Sequence, residues 1–73
     1  MTIRRPNLPL QAGQYFRNTD SQGCVARIKA ATASDIDELK AARYREAISP
    51  RSRKRLLRAL TAKLREFGPQ HDL

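Results

Sequence analysis

The sequence predicts an α+β fold: a β-hairpin followed by two α-helices, with an extended N-terminal arm, in one small domain. Three observations carry that prediction. Residues 24–30 alternate Cys24, Ala26, Ile28 and Ala30 with Val25, Arg27 and Lys29, the period of two expected of a strand with one covered face. Residues 35–48 and 50–67 each set apolar side chains at helical spacing behind a capping serine. The first twelve residues hold Pro6 and Pro9, three apart, which a helix does not tolerate.

Taken in chain order, residues 1–12 form the arm, extended and partly polyproline-like, with Ile3, Leu8 and Leu10 as isolated apolar side chains beside Arg4 and Arg5. Residues 13–68 form the ββαα domain, and residues 69–73 a flexible tail. The hairpin runs from Gln14 to Ala31, its turn supplied by Asp20, Ser21 and Gly23. Ser34 caps the next helix with Asp37 at its third position, and Asp35, Asp37 and Glu38 complement the helix dipole. Those carboxylates therefore have a structural role without a metal. Ile36, Leu39 and Ala47, with Ala42 or the stem of Arg43, make its apolar stripe. In the last helix Ser49 is the cap and Pro50 the first residue, Leu57, Leu60, Leu64 and Phe67 form the core seam widened by Leu56, and Gly68-Pro69 stops it.

Seventy-three residues leave no room for an enclosed substrate cavity, because so short a chain buries only roughly 60% of its unfolded surface. Phe16, Ile28, Ile36, Leu39, Leu60 and Phe67 are the expected core. Catalysis is not expected: His71 is the single histidine and falls in the tail, and Cys24 opens a strand beside no base. Gly13, Gly23 and Gly68 punctuate turns rather than forming a phosphate loop. One cysteine makes no internal disulfide, and no apolar run approaches a membrane span, so a monomeric cytoplasmic protein without cofactor or metal is expected.

Fifteen Lys and Arg against seven Asp and Glu give a net charge of +8, which favours an anionic partner. Arg51, Arg53, Lys54 and Arg55 stand at the expected N-terminus of the last helix, where each cation costs roughly a few tenths of a kcal/mol. Folding supplies no reason for them, which marks a candidate site for a docked anion. With Arg58, and with Arg17, Arg27 and Lys29 of the hairpin as a second patch, they would contact a phosphate backbone or an acidic protein surface. The close junction between the two helices suggests a helix-turn-helix, but its turn lacks glycine and its second helix lacks the Asn, Gln or Ser cluster that reads base edges. Of the few aromatics, Tyr15, Phe16, Tyr44 and Phe67, two belong to the core, so any nucleic-acid contact is with the backbone. A second possibility is an adaptor that docks on a large acidic protein machine through Ile3, Arg4, Arg5, Asn7, Leu8 and Leu10, which explains the arm as plain DNA binding does not.

The arm MTIRRPNLPLQ, one basic hairpin and two helices in about seventy residues resemble the small regulators with which lytic phages take over host RNA polymerase, of the inhibitor and antiterminator type known from a Xanthomonas phage. The resemblance covers the whole chain in size, layout and charge, and contains no diagnostic motif. It implies binding near the N-terminus of the polymerase β′ subunit by the RNA exit channel, displacement of the σ factor from promoter complexes, readthrough of terminators, and residence in the host cytoplasm. Some small ribosomal proteins share the outline, a helix, a basic proline-containing junction and a second basic helix, but Asp35 to Glu38 and the Ala-rich middle are poor rRNA contacts.

Overall fold

Leu56, Leu60 and Leu64 recur every fourth residue and are fully buried, and the helix that carries them, α3 (Lys54–Phe67), is the element on which the rest of the chain packs. The computed structural model describes residues 8–68. In it α1 (Ser21–Lys29) and α2 (Ile36–Ile48) both pack against α3, and short 3-10 turns at Gln14–Phe16 and Ala33–Asp35 precede them. Phe16, Cys24, Ile28, Ala31, Leu39 and Ala42 complete the core, with Ile36, Ala59 and Phe67 packed at its edge.

The architecture is all-helical; the described residues contain no strand, and the expected α+β fold with its β-hairpin is corrected. The hairpin's first half is the 3-10 turn Gln14–Phe16 and its second half is α1. The turn residue Asp20 is in fact the N-cap of α1: its Oδ1 accepts a hydrogen bond from the Gly23 N–H at 2.7 Å. Cys24, Ile28 and Ala31 are buried at i, i+4 and i+7, whereas Ala26 and Ala30, read as sharing a strand face with Cys24 and Ile28, are exposed. Alanine follows either period, and its helix propensity with that of Arg27 and Lys29 favours the helix once Asp20 has started it. Cys24 is fully buried, its thiol donating to the Thr19 carbonyl at 3.4 Å.

Both later helices start after their expected positions. Thr32, not Ser34, opens the turn into α2: the Asp35 carboxylate accepts from the Thr32 N–H at 2.9 Å, so the helix proper begins at Ile36. On α2 the covered side chains are Leu39, Ala41, Ala42 and Glu46, and Ala47 is exposed. Ser49 ends α2 in an extended conformation, as a residue before proline prefers, and does not cap α3. Residues 49–53 form a non-helical junction, Arg53 is the N-cap, and Pro50 lies outside the helix.

Gly13 does more than punctuate. Its φ of +80° is left-handed, and a Cβ placed on it would stand 2.6 Å from the Ala42 Cα. That close approach brings the Gly13 N–H 2.7 Å from the Glu38 Oε2. Farther back along the chain, the Pro9 carbonyl accepts from Arg45 Nη2 at 2.6 Å. These two anchors lay residues 9–13 antiparallel along α2, with Pro9 at its last turn.

Candidate functional site

The junction between α2 and α3 is organised by one carboxylate. Glu46, in the last turn of α2, is 1% exposed. Its Oε2 accepts from the main-chain N–H of Arg53 at 2.7 Å, and its Oε1 accepts from Arg53 Nη2 at 3.2 Å and from Arg17 Nε at 3.1 Å. Arg53 continues past it to donate from Nη1 to the Thr19 carbonyl at 3.1 Å. Burial works to raise the Glu46 carboxyl, but hydrogen bonds from the Arg53 backbone, the Arg53 side chain and Arg17, with the charge of Arg53, hold it below its ordinary value of 4.5. The hydrogen bond to Glu46 holds Arg53 correspondingly more basic, against its own burial.

This arrangement divides the predicted cations. Arg17 and Arg53 face inward to Glu46, so folding does account for Arg53, which precedes the helix rather than standing in its first turn. Arg27 is also engaged internally: Nη1 donates to the Tyr15 carbonyl at 2.7 Å, and the guanidinium lies over the Tyr15 ring at 4.7 Å. Arg51, Lys54, Arg55 and Arg58 are exposed, and together they form a basic surface over the junction and the first turns of α3. Lys29 is exposed at the end of α1, where its carbonyl accepts from Lys63 Nζ at 3.0 Å.

Sequence reasoning missed Glu46 altogether, since a glutamate within a helix carries no mark of burial and its partners lie seven and twenty-nine residues away. Of the arm, Ile3, Arg4, Arg5 and Asn7 lie outside the described residues, as do His71 and the tail at 69–73. Leu8 is partly covered and Leu10 is 88% exposed, on a turn closed by the Ala12 N–H donating to the Pro9 carbonyl at 3.0 Å. Ile48, at the end of α2 toward which the arm runs, is 56% exposed.

Among the described residues no cluster of His, Cys, Asp and Glu could hold a metal ion, and no helix is long and apolar enough to cross a membrane. Comparison of the chain with protein-family models, with curated proteins and with solved structures finds no match in any of the three.

Proposed function

We propose that the chain is a non-enzymatic, cytoplasmic transcription regulator that binds bacterial RNA polymerase, at the β′ subunit, inhibiting initiation by σ displacement and promoting antitermination. The observation that carries a protein partner is Leu10: a large apolar side chain left 88% exposed on a turn pinned to α2 by Arg45, rather than tucked into the core. It continues the arm whose sequence suggests partner anchoring, and its neighbour Pro9 is held by Arg45 in the last turn of α2, the helix that ends at the exposed Ile48. What names the polymerase as that partner is the resemblance in chain size, basic charge and N-terminal arm; the hairpin that resemblance also counted is α1 and supports nothing.

Immobilised protein incubated with nuclease-treated bacterial lysate should retain the polymerase. Leu10→Ser, at the exposed side chain, should weaken retention about tenfold or more, and deleting residues 1–7 as well, which leaves the Pro9 carbonyl on Arg45, should abolish it, both with little change in thermal stability. Failure of the intact protein to retain polymerase overturns the reading.

The exposed cations Arg51, Lys54, Arg55 and Arg58 support a second reading, a sequence-tolerant DNA- or RNA-binding protein that contacts the phosphate backbone. Tight duplex or RNA binding at physiological salt, without retention of polymerase, would favour it.

A further inference from the structure

Among the described residues one buried side-chain polar atom has no hydrogen-bond partner: the Nε of Arg45, in the last turn of α2. Buried donors are nearly always paired, so this one calls for a reason. A guanidinium is planar, and its Nε–H and one Nη2–H point the same way, an edge that fits the two oxygens of a carboxylate. In Arg45 that edge is half used: Nη2 donates to the Pro9 carbonyl at 2.6 Å, and Nε donates to nothing. Among the described residues no carboxylate pairs with Arg45, although the next residue, Glu46, serves both Arg17 and Arg53. Glu38, two turns back on α2, is committed to the Gly13 N–H. The Pro9 oxygen also accepts from the Ala12 N–H at 3.0 Å, so it keeps a partner when Arg45 leaves it. Pro9, Leu10 and Gln11 are exposed whereas Ala12 and Gly13 are buried, which gives this turn a fixed root and a loose outer edge.

We propose that the Nε–Nη2 edge of Arg45 is a binding site for an aspartate or glutamate side chain of a protein partner, which displaces the Pro9 carbonyl and lifts residues 9–11 from α2. The exchange replaces one hydrogen bond to a neutral carbonyl with two to a carboxylate, satisfies Nε, and strands no polar group on this chain. A phosphate shares the bidentate chemistry, but the surroundings favour a side-chain carboxylate. Leu10 directly follows Pro9, and Ile48 lies one turn beyond Arg45 on α2; both are exposed. Apolar side chains flanking the partner's acidic residue would cover them, whereas a phosphodiester backbone gains nothing from doing so. The inference rests on the reading of the chain as a protein-binding regulator and names the group such a partner presents, together with the contact that holds the root of the arm until it arrives.

The probe is the peptide acetyl-Leu-Glu-Leu-amide, titrated into the full chain at fixed ionic strength, with acetyl-Leu-Gln-Leu-amide and inorganic phosphate as comparisons. The glutamate peptide should shift the Arg45 Nε–H resonance and the amides of residues 10–12. It should bind about tenfold or more tightly than the glutamine peptide, the worth of one charge-assisted pair. Arg45→Lys keeps the charge and a donor for Pro9 but loses the edge, so it should weaken the glutamate peptide about tenfold while thermal stability and protection of the Gly13 amide hold. Arg51→Lys, an exposed cation outside the site, should leave binding within about twofold. Equal binding of the two peptides, shifts centred away from residues 9–12 and 45, or indifference to Arg45→Lys overturns the proposal. Phosphate that occupies the Arg45 edge more tightly than the glutamate peptide overturns its assignment to a protein carboxylate. Polymerase retention is scored separately. Peptide bound at Arg45 with no polymerase retained by the wild type sinks the polymerase reading and supports the site; polymerase retained equally by wild type and Arg45→Lys, with no peptide at Arg45, overturns the site alone.

Discussion

Arg53 meets Glu46 twice, through its main-chain N–H at 2.7 Å from Oε2 and through its guanidinium at 3.2 Å from Oε1. The first contact satisfies a donor at the start of α3 that its own side chain does not cap, and the second neutralises a carboxylate taken out of water. Arg17 adds the residues before α1, so one side chain ties α2 to both the junction and the N-terminal segment. Glu46→Ala leaves two guanidinium groups facing each other over a void and strands the Arg53 N–H. The expected loss is about 3 kcal/mol, at the low end for breaking a buried pair because both arginines keep some solvent contact. In a domain whose whole stability is on the order of a few kcal/mol, that variant should be largely unfolded by circular dichroism at 25 °C, and Glu46→Gln should fall between it and the wild type in urea titrations.

The same cluster sets an acid limit. Glu46 has a lower pKa folded than unfolded, so its ion-pair contribution is complete above the ordinary value of 4.5 and is lost as the pH falls through that value toward the lowered folded one. Urea midpoints measured from about pH 6 down to about pH 3 should therefore drop for the wild type. They should drop less steeply for Glu46→Gln, which has no proton to take up at this site; equal slopes would show that other carboxylates govern the acid transition.

How far the sequence discloses this molecule depends on residue type. α3 was legible because leucines at three- and four-residue spacing fit only a helical period, and α2 because its acidic first turn and the Ile36–Leu39 spacing mark a helix start, although the starts shifted to Lys54 and Ile36. α1 was not, because its pattern is written largely in alanine: Cys24 and Ile28 fit a strand and a helix equally, and Asp20 serves a turn or a cap. Among the cations, Arg51, Lys54, Arg55 and Arg58 were legible as a surface, but nothing local separates them from Arg53, whose inward course depends on a carboxylate seven residues earlier. Leu57 illustrates the converse, since its register fits the seam while its place at the edge of the stripe leaves it only partly covered.

Gly13→Ala tests how the N-terminal segment is held. The new Cβ meets the α2 backbone at Ala42, which cannot move aside as a flexible side chain would, and alanine resists a φ of +80°. A loss of roughly 1–3 kcal/mol is expected from backbone strain alone. Protection of the Gly13 amide from hydrogen exchange, visible in the wild type through its bond to Glu38, should fall by a larger factor in Glu38→Gln than that of the α3 amides.

Asp20→Ala tests the assignment of α1. With the Gly23 N–H left uncapped, about 1 kcal/mol should be lost, and Asp20→Asn or Asp20→Ser should restore most of it. A hairpin turn at the same residues would instead tolerate the alanine and respond to Gly23.

The exposed and buried cations should separate cleanly when each is removed. Arg51, Arg55 and Arg58 touch solvent, and Lys54 and Arg55 lie in the first turn of α3, the unfavourable end of the dipole for a positive charge. Replacing Arg51, Lys54, Arg55 and Arg58 together by alanine should leave stability unchanged or raise it by a few tenths of a kcal/mol, roughly the amount each terminal cation costs. Arg53→Ala, by contrast, leaves the Glu46 carboxylate with Arg17 as its one remaining charged partner at the junction and removes the bond to the Thr19 carbonyl. It should cost about 2 kcal/mol or more, most of it the penalty of a buried carboxylate stripped of a charge-assisted bond. If the second reading of the function holds, the quadruple variant should also flatten the salt dependence of duplex binding, its log–log slope shrinking by roughly 0.9 for each phosphate that is no longer neutralised. A quadruple variant that unfolds while Arg53→Ala stays folded would reverse the division of the basic run into an inward residue and an outward surface.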